Sequence, residues 1–564
     1  MNGTRPAFRS FSGVADSVTR LARVVAQCSR SHAAATTWLA ASGIFLFALA
    51  IRVVHLSQPL VENFIDRQVH TAMMARNLAR GASWLRPEID IGPFPAYYML
   101  EFPGFPALAA VVASMTGLPL DMAGRLLSAL SMAAACVFLF DLVRRNDGMA
   151  VAFVAASALA AMPVTIRYGR GFQPDSLMFA LLVAGVWSMG RWSTRGFKRD
   201  LAIAAAATSG ALLLKVISAY VLVPMAYLAW QRCGRTAWRR WELWIAVAVI
   251  AIPSAAWYVH AWHVASSMTT VSTTFWQADK WIALGRFAQI DTYRQLAYFV
   301  GWRVLTPVGV ALAIVGAFLR VVASRLEDSG PKIEELGSRV VNEVVERSSA
   351  CHGAQSAILN PRTSPLLFHV WLASLALYFP ILVRKVDHEH YYLALAPAAA
   401  VFIARALVAL AAAPLATRCY VTGKQAAAAL GVALVATDAL SCQSTFRAPR
   451  EWRHVMEASA AARELTPPDS LVVAHSSVLY YADRRGFAMD YSPSDVAYLL
   501  STFGQTPAAP TANDLVEFYR GRGATHFVEL LGMREHSDAL DLLRLRYRVV
   551  REAPGQFIVV ALDD

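Results

Sequence analysis

Long apolar runs separated by short basic clusters dominate this sequence. Most of the runs approach the length of about 20 residues that a helix needs to cross the hydrocarbon core of a bilayer. Because backbone polar groups in lipid must be satisfied within the chain, such runs form helices there. The sequence therefore predicts an α-helical polytopic membrane protein with about eleven transmembrane helices. The predicted spans are 38–56, 125–143, 149–162, 176–192, 201–214, 217–230, 241–262, 304–322, 366–383, 391–412 and 426–440.

Composition supports this class of protein. Hydrophobic residues make up 56% of the chain and charged residues 16%, whereas soluble domains have about 45–50% and about 25%. The formal net charge is +13, but the Lys and Arg residues cluster between the apolar runs, where they set membrane orientation. Membrane lipids are therefore expected partners, and nucleic acid is not.

The basic clusters also predict which side of the membrane each segment faces. Several arginines precede the first span, so 1–37 is expected to be a cytoplasmic tail and not a signal peptide. The loop 57–103 then lies outside, and 104–117, which is too short to span, is expected to be an interfacial or re-entrant helix. The polar segment 323–365 reads as a cytoplasmic loop with one amphipathic helix, and eleven spans place the C-terminus outside.

A change of composition divides the chain into two domains. Residues 38–440 contain the predicted spans, whereas 441–564 resemble a soluble domain. The runs SLVVAHS, THFVELL, YRVVREA and QFIVVAL have the length and β-branched character of strands, and helix-like stretches separate them. We expect 441–564 to be a small α/β domain outside the cytoplasm, and no motif in it indicates chemistry.

The first loop contains an acidic residue in a setting that suits acid–base chemistry. If 63–80 is helical, one side of the helix presents Asp66, His70, Met73 and Asn77, and Arg67, Arg76 and Arg80 lie elsewhere. A carboxylate with cations nearby is what proton transfer on an anionic substrate requires. Asp66 is the candidate base, unless it only caps the helix. Further acids of the same loop are Glu88, Asp90 and Glu101.

Two further clusters with charged residues lie beside apolar runs. The sequence TIRYGRGFQPDSL places Arg167, Arg170 and Asp175 close together, although Asp175 also suits a helix start after Pro174. Lys215 stands between two apolar runs, where it either serves a functional site or extends its amine to the membrane surface. Both clusters are predicted to face outside.

A last cluster begins a late span and contains Arg384, Lys385, Asp387, His388, Glu389, His390, Tyr391 and Tyr392. These side chains suit phosphate binding, and a divalent metal is an alternative. His388 and His390 are two residues apart, so they can share a metal only in a loop. The six cysteines have no spacing typical of a zinc site or a disulfide framework.

The motifs together resemble a known family. Asp66 is followed by RQxxTAxxARN, then by YxLEFP, GRxFxPDSL and HxHYYLxLxP. In order and spacing they are similar to the bacterial polyprenyl-phosphate-sugar glycosyltransferases, which are GT-C enzymes related to the lipid A aminoarabinose transferase and to protein O-mannosyltransferases. The resemblance covers about residues 38–415.

The resemblance implies a function and a location. It implies an inner-membrane enzyme with a periplasmic site, which transfers a sugar from a polyprenyl-phosphate donor to a lipid, glycan or protein acceptor with inversion. Asp66 would remove the proton of the acceptor hydroxyl, and basic residues would hold the phosphate. The candidate substrate-binding residues are Arg67, His70, Arg76, Glu101, Arg170, Asp175, Lys215, Arg384, Lys385, His388, His390 and Tyr391.

One position departs from the family pattern. Relatives often have an Asp-Glu pair where this chain has Asp66 followed by Arg67, so Glu101 or Asp175 would have to supply the second acid. Two other classes of function stay open: a transporter or flippase for a charged lipid or solute, and a non-catalytic envelope assembly factor. The transporter is less favoured, because the two halves show no convincing repeat and the polar residues gather on one face.

Overall fold

The computed structural model describes residues 34–61, 64–267, 282–328, 364, 366–413, 422–447, 453–489, 492–506, 508–531 and 538–563. Most of the predicted tail 1–37 and most of the segment 323–365, with its expected amphipathic helix, lie outside these residues. Cys28, Cys351 and Cys419 also lie outside them.

The first two thirds of the chain is helical. The helices are α1 Ala34–Val53, α2 Ile65–Ala79, α3 Gly104–Thr116, α4 Leu120–Asp147, α5 Met149–Ala161, α6 Pro163–Arg170, α7 Asp175–Arg195, α8 Lys198–Leu214, α9 Leu222–Cys233, α10 Trp241–Ser267, α11 Ile290–Tyr298, α12 Thr306–Asp328, α13 Leu367–Arg384, α14 Ala396–Ala412 and α15 Gly423–Cys442. Short 3₁₀ helices precede α9 and α14 at Val216–Val221 and Glu389–Leu395. Every predicted span overlaps one of these helices, and the spans 217–230 and 391–412 each include a 3₁₀ helix and the α-helix after it.

The number of helices able to span a membrane is smaller than the sequence predicted. Among the described residues, six helices are long and apolar enough, and two bent pairs raise the number to eight. The difference from eleven lies in α7, α8 and α9. Helix α8 has 17 residues and α9 has 12, and α7 ends in the polar sequence GRWSTR. Helix α3 is short, as expected, and ends at Gly117, whose positive φ of 70° suits glycine.

Two bends of more than 40° separate successive helices among the residues that the structure describes. Helices α5 and α6 meet at 58° at Met162, where Pro163 begins the second helix. The second bend, of 95°, separates Ile290–Val304 from Thr306–Leu319. The first bend directs α6 and the following Gly171–Pro174 turn towards the end of the helical part where the first loop lies.

The C-terminal part is a small α/β unit. Its strands are β1 Leu471–Ala474, β2 Arg485–Phe487, β3 Ala524–Leu530, β4 Arg548–Ala553 and β5 Phe557–Ala561, in the order β2-β1-β3-β5-β4. Its helices are α16 Val455–Leu465, α17 Ser476–Ala482, α18 Pro493–Ser501, α19 Ala512–Arg520 and α20 Asp538–Arg546. Strand β1 is parallel to β2 and β3, and the other pairs are antiparallel. The four predicted strands are present, and the three-residue β2 is too short to show a pattern in the sequence.

The first loop packs against this unit at the free edge of β2. The Gly92 N–H donates to the Gly486 carbonyl at 2.8 Å, and the Gly486 N–H donates to the Asp90 carbonyl at 2.9 Å. These bonds satisfy backbone groups of an edge strand that would otherwise be open to other chains. Arg76 strengthens the junction, because it donates to Asp90 and to the Tyr480 carbonyl. As a result α17 lies beside α2.

Candidate active site

A cavity of about 500 Å³ lies where α2, the rest of the first loop and the segment around 385–391 meet. Its lining includes nine residues that the sequence singled out: Asp66, Arg67, His70, Glu101, Lys215, Lys385, His388, His390 and Tyr391. The other lining residues are Phe64, Tyr98, Leu100, Gln173, Val216, Ile217, Tyr258 and Tyr498. Residues that are far apart in the sequence are therefore brought together around one space.

Asp66 is the acidic residue at the mouth of this cavity. It stands in the first turn of α2, behind Phe64, which occupies the N-cap position with a positive φ of 53° and provides no side-chain cap. Asp66 is thus not the N-cap residue that the alternative interpretation required. Its side chain is 67% exposed, and its charge is favoured by the helix N-terminus. Ser476 Oγ donates to its Oδ1 at 2.5 Å.

Arg67, the next residue, also lines the cavity. The helical pattern in the sequence had placed it away from the side of the helix that presents Asp66. It forms an ion pair with Glu101 and donates to the Tyr98 hydroxyl. Burial alone would lower the pKa of Arg67, but the charge of Glu101 and the nearby Tyr98 raise it above its ordinary value. Burial also raises the pKa of Tyr98. Arg67 is therefore a permanent cation in the wall.

Lys215 connects the cavity to a buried acid beneath it. The residue ends α8 in an extended conformation, and its Nζ donates to Asp175 Oδ1 at 2.8 Å and lies 3.7 Å from Glu101 Oε1. Lys215 is 5% exposed and the Asp175 side chain is fully buried. Arg67, Glu101, Lys215 and Asp175 therefore form one chain of alternating charge. Asp175 supports the wall from behind and does not line the cavity.

His70 is an uncharged residue that lines the cavity beside the chain of alternating charge. Burial lowers the pKa of His70 to about 4; the nearby carboxylate of Asp66 opposes this shift, and the charge of Arg67 adds to it. Its ring packs edge-on against Tyr98, with centroids 5.5 Å apart. At neutral pH His70 is therefore an uncharged ring in the wall of the cavity and not a cation.

The opposite wall is the segment that leads into α14. Glu389 fixes it from within the protein, since this buried carboxylate pairs with Arg167 and with Arg303. Around it, Lys385, His388, His390 and Tyr391 face the cavity. The His388 and His390 rings are 5.9 Å apart. In the part of the chain that the structure describes, no group of three His, Cys, Asp or Glu residues is arranged to hold a metal ion.

Four of the predicted substrate-binding residues do not line the cavity: Asp175, described above, and Arg76, Arg170 and Arg384. Arg76 pairs with Asp90 and with Asp483 of the C-terminal unit. Arg170 is buried, donates to the Val54 carbonyl and lies over the Phe446 ring. Arg384, the last residue of α13, precedes the lining residue Lys385. Arg76 and Arg170 therefore connect parts of the fold.

The C-terminal unit contributes residues that the sequence had not indicated. His475 and Ser476 adjoin Asp66, and Tyr498 lines the cavity. His475 and Ser476 directly follow β1, and ligand-contacting residues of α/β sheets often lie at the carboxyl ends of strands. Their position at the end of the strand-like run SLVVAHS is the sequence feature that could have indicated these two residues.

Comparison with known proteins identifies the architecture. A family described as dolichyl-phosphate-mannose-protein mannosyltransferase matches residues 101–260. No curated protein matches the chain in sequence. Among solved structures, ArnT from Cupriavidus metallidurans bound to undecaprenyl phosphate aligns at a TM-score of 0.56 and 14% identity, over 94% of this chain and 98% of ArnT.

Two other solved structures are similar over most of the chain. The archaeal oligosaccharyltransferase AglB from Archaeoglobus fulgidus, in complex with an inhibitory peptide and a dolichol-phosphate, has a TM-score of 0.51 and 14% identity over 88% of this chain and 69% of AglB. The arabinofuranosyltransferase AftD from Mycobacteria has a TM-score of 0.53 and 13% identity over 94% of this chain and 40% of AftD. This chain therefore shares the fold of these three proteins, the GT-C fold that the resemblance implied, with a helical part followed by a small C-terminal sheet.

Proposed function

We propose that this protein is a membrane glycosyltransferase that transfers a sugar from a polyprenyl-phosphate donor to an acceptor outside the cytoplasm, with Asp66 as the general base. The observation that best supports the proposal is the joint presence of Asp66 and several cations around one cavity. Asp66 is mostly exposed, and Arg67, Lys215 and Lys385 line the same space. A base and a phosphate-binding group are the two parts that such a transfer needs.

The proposed donor is inferred from the lipid phosphates of similar proteins and from the position of the cavity beside apolar helices. The matching family is described by a dolichyl-phosphate-linked sugar, and the ArnT and AglB structures contain undecaprenyl phosphate and dolichol-phosphate. Here the cavity lies beside helices apolar enough to cross a bilayer. A lipid-linked sugar can therefore keep its polyprenyl chain in the membrane while its phosphate contacts the cations.

The proposed reaction is a single inverting displacement. The acceptor oxygen forms a bond to the anomeric carbon while the bond from that carbon to the phosphate oxygen breaks. Asp66 takes the proton of the acceptor hydroxyl, and the polyprenyl phosphate leaves with the bonding electron pair. Negative charge grows on the phosphate during this step, so cations such as Arg67 and Lys215 lower the energy of the transition state.

Glu101 and Asp175 are assigned supporting roles. Both carboxylates contact Lys215, and Glu101 also pairs with Arg67. Through these contacts they hold the two cations in place. We propose that Glu101 and Asp175 in this way replace the second acid that relatives often have directly after the position of Asp66. We propose that Lys385, His388, His390 and Tyr391 bind the donor from the facing wall.

We place the protein in the bacterial inner membrane with this cavity on the periplasmic side. The proposed domains are a cytoplasmic tail at 1–37, a transmembrane transferase domain at 38–440 with its first outer loop at 57–103, and a periplasmic α/β domain at 441–564. The acceptor belongs to one of three classes: lipid A, polysaccharide or protein. The positive-inside distribution of Lys and Arg residues supports this orientation.

Direct measurement of sugar transfer tests the proposal. The purified protein in lipid vesicles is given labelled sugars on polyprenyl phosphate, together with envelope lipid, glycan and protein fractions as acceptors. Because general-base catalysis contributes about 10²–10⁴-fold, Asp66→Asn should lose rate on that scale and still bind donor. Asp66→Glu should lose about 100-fold, since its carboxylate is displaced by about 1 Å.

Glu88→Gln is the matched control, because Glu88 is an acid of the same loop that does not line the cavity. It should retain wild-type turnover. If Asp66→Asn transfers sugar at the wild-type rate, Asp66 is not the base. Movement of intact labelled donor across the vesicle membrane, without transfer, would favour the flippase alternative.

A further inference from the structure

The start of α17 in the C-terminal unit lies against Asp66. Ser476 Oγ donates to Asp66 Oδ1, and His475 Nε2 lies 3.6 Å from the same oxygen. Ser476 is 410 residues away from Asp66 in the sequence. Both groups therefore reach the proposed base from a different part of the chain.

The local geometry of His475 fixes which nitrogen faces Asp66. The Ser477 N–H donates to His475 Nδ1 at 3.2 Å, an N-capping bond of α17. Because Nδ1 accepts this bond, the neutral imidazole bears its hydrogen on Nε2. Nε2 is also the nitrogen that lies nearer Asp66, at 3.6 Å from Oδ1, which is beyond hydrogen-bond distance. The Ser476 hydroxyl thus bonds to this carboxylate oxygen, and the imidazole of His475 adjoins it.

Hydrogen bonds of residues that follow Ser476 hold α17 in position. Asp121 at the start of α4 accepts hydrogen bonds from Tyr480 and Tyr481, each at 2.6 Å. Asp483, just after α17, accepts bonds from Arg80 at 2.9 and 2.7 Å. The Leu60 N–H also donates to the Tyr481 hydroxyl at 2.7 Å. These links fix α17 relative to the first loop and to the membrane helices.

We propose that Ser476 and His475 are positioning residues for Asp66, so that the C-terminal unit completes the active site. This inference rests on the proposed function. Ser476 holds Oδ1 by its hydrogen bond and His475 limits the space beside it, so that the second carboxylate oxygen is set towards the acceptor hydroxyl. A carboxylate on an exposed first turn otherwise samples several rotamers, and misplacement by about 1 Å can cost about 100-fold in rate.

Substitution of Ser476 tests the positioning role through a split between kcat and KM. Ser476→Ala should lower kcat by about 10- to 100-fold, while KM for the polyprenyl-phosphate-sugar donor changes less than about twofold, because Ser476 does not line the cavity. Ser476→Thr keeps the hydroxyl and should restore most of the rate. Ser477→Ala is the matched control: Ser477 is the next residue of the same helix, and its bond to His475 is from the backbone.

Ser476→Cys serves as a second variant in case Ser476→Ala does not fold. Cysteine has a similar size but is a weak donor, so a folded Ser476→Cys protein should show the same loss of kcat. Wild-type kcat in Ser476→Ala or Ser476→Cys, with Asp66→Asn inactive, would refute the positioning role and leave the proposed function intact.

A double variant separates positioning from general disturbance of the fold. In the Asp66→Asn background, Ser476→Ala should lower the residual rate by less than about twofold, because residues that act through one group are not additive. A further full loss in that background would show that Ser476 acts independently of Asp66 and would overturn the inference. If Asp66→Asn alone retains full turnover, the assignment of the base fails, and the positioning role fails with it.

Discussion

The acidic side chains at the cavity differ in what holds them. Asp175 is fully buried and bonded to Lys215, and Glu101 lies between Arg67 and Lys215. Asp66 is 67% exposed and meets a hydroxyl and an imidazole. A carboxylate in a buried ion pair cannot turn towards an acceptor without breaking that pair, which is costly. These environments favour Asp66 as the group that meets the acceptor.

The adjacent cations Arg384 and Lys385 provide a matched test of phosphate binding. Lys385 lines the cavity and Arg384 does not. Lys385→Ala should raise KM for the donor by about 10-fold, because a charge-assisted hydrogen bond to the phosphate is lost. Arg384→Ala should leave KM within about twofold. The measurement is the initial rate against donor concentration, and equal effects of the two variants would show that Lys385 does not contact the phosphate.

The depressed pKa of His70 predicts a pH-dependent stability. The folded-state pKa is about 4, below the ordinary value of 6.5. Between pH 6.5 and pH 4 the unfolded chain binds a proton that the folded chain does not, so stability is lost as pH falls through this range. His70→Asn should reduce that loss by on the order of 1–3 kcal/mol, measured by unfolding of the purified protein at pH 7.5 and at pH 4.5.

His55→Asn is the control for this experiment, because His55 is an exposed histidine outside the cavity. It should follow the wild-type curve. If His70→Asn also follows that curve, folding does not lower the pKa of His70 below its ordinary value, and His70 becomes protonated in the folded protein as pH falls through about 6.5.

Sequence patterns indicated which residue types matter but not which way each of them points. Lys215 and Arg170 both stand beside apolar runs and were equally plausible as phosphate ligands. Lys215 reaches the cavity because its extended backbone ends α8, whereas Arg170 turns inwards to the Val54 carbonyl. The backbone conformation at Lys215 brings its side chain to the cavity, and the hydrophobic periodicity of the sequence does not reveal that conformation.

At the scale of secondary-structure elements, the most informative contact is that between α2 and α17. The sequence allowed a helix at 63–80 and predicted a C-terminal α/β unit from its β-branched runs, and the structure contains α2 at Ile65–Ala79 and a five-stranded sheet in that unit. It did not predict their junction, because that junction depends on long-range bonds such as those of Gly486 to Asp90 and Gly92. The unit therefore seemed to have no chemistry until its position was known.

Asp121 offers a test of this junction. It accepts bonds from both Tyr480 and Tyr481, and burial, together with this carboxylate, raises the pKa of each phenol. Asp121→Ala leaves two largely buried hydroxyls without their acceptor, so stability should fall by about 1–3 kcal/mol. Thermal unfolding measures the loss, and hydrogen exchange should increase in 476–482.

Asp541→Ala is the matched control, since Asp541 is a surface acid of α20. Its effect should stay within about 0.5 kcal/mol. If Asp121→Ala has no larger effect on stability or exchange, the two tyrosines do not fix α17 to α4.

At the scale of the whole molecule, the cavity draws on segments that the positive-inside argument placed on one side of the membrane. The first loop, the end of α8 and the segment before α14 were all predicted to face outside, and they line one space together with Tyr498 of the C-terminal unit. Segments on opposite sides of a bilayer, about 30 Å apart across its core, could not meet in this way. Their convergence therefore supports the relative topology, in which α7, α8 and α9 also cross the membrane, although only six to eight of the described spans meet the usual length and apolar composition.

The absolute orientation is tested by reporter fusions. Lys and Arg residues that flank membrane helices are retained in the cytoplasm, and Arg195, Lys198 and Arg199 surround the turn at Gly196 between α7 and α8. A reporter that is active only outside the cytoplasm should therefore work after Asp564 and fail at Gly196 and within 327–349. A cytoplasm-active reporter at the same sites is the control and should give the opposite pattern. If the outside-active reporter works at Gly196 and fails after Asp564, the cavity faces the cytoplasm and the acceptor must be sought there.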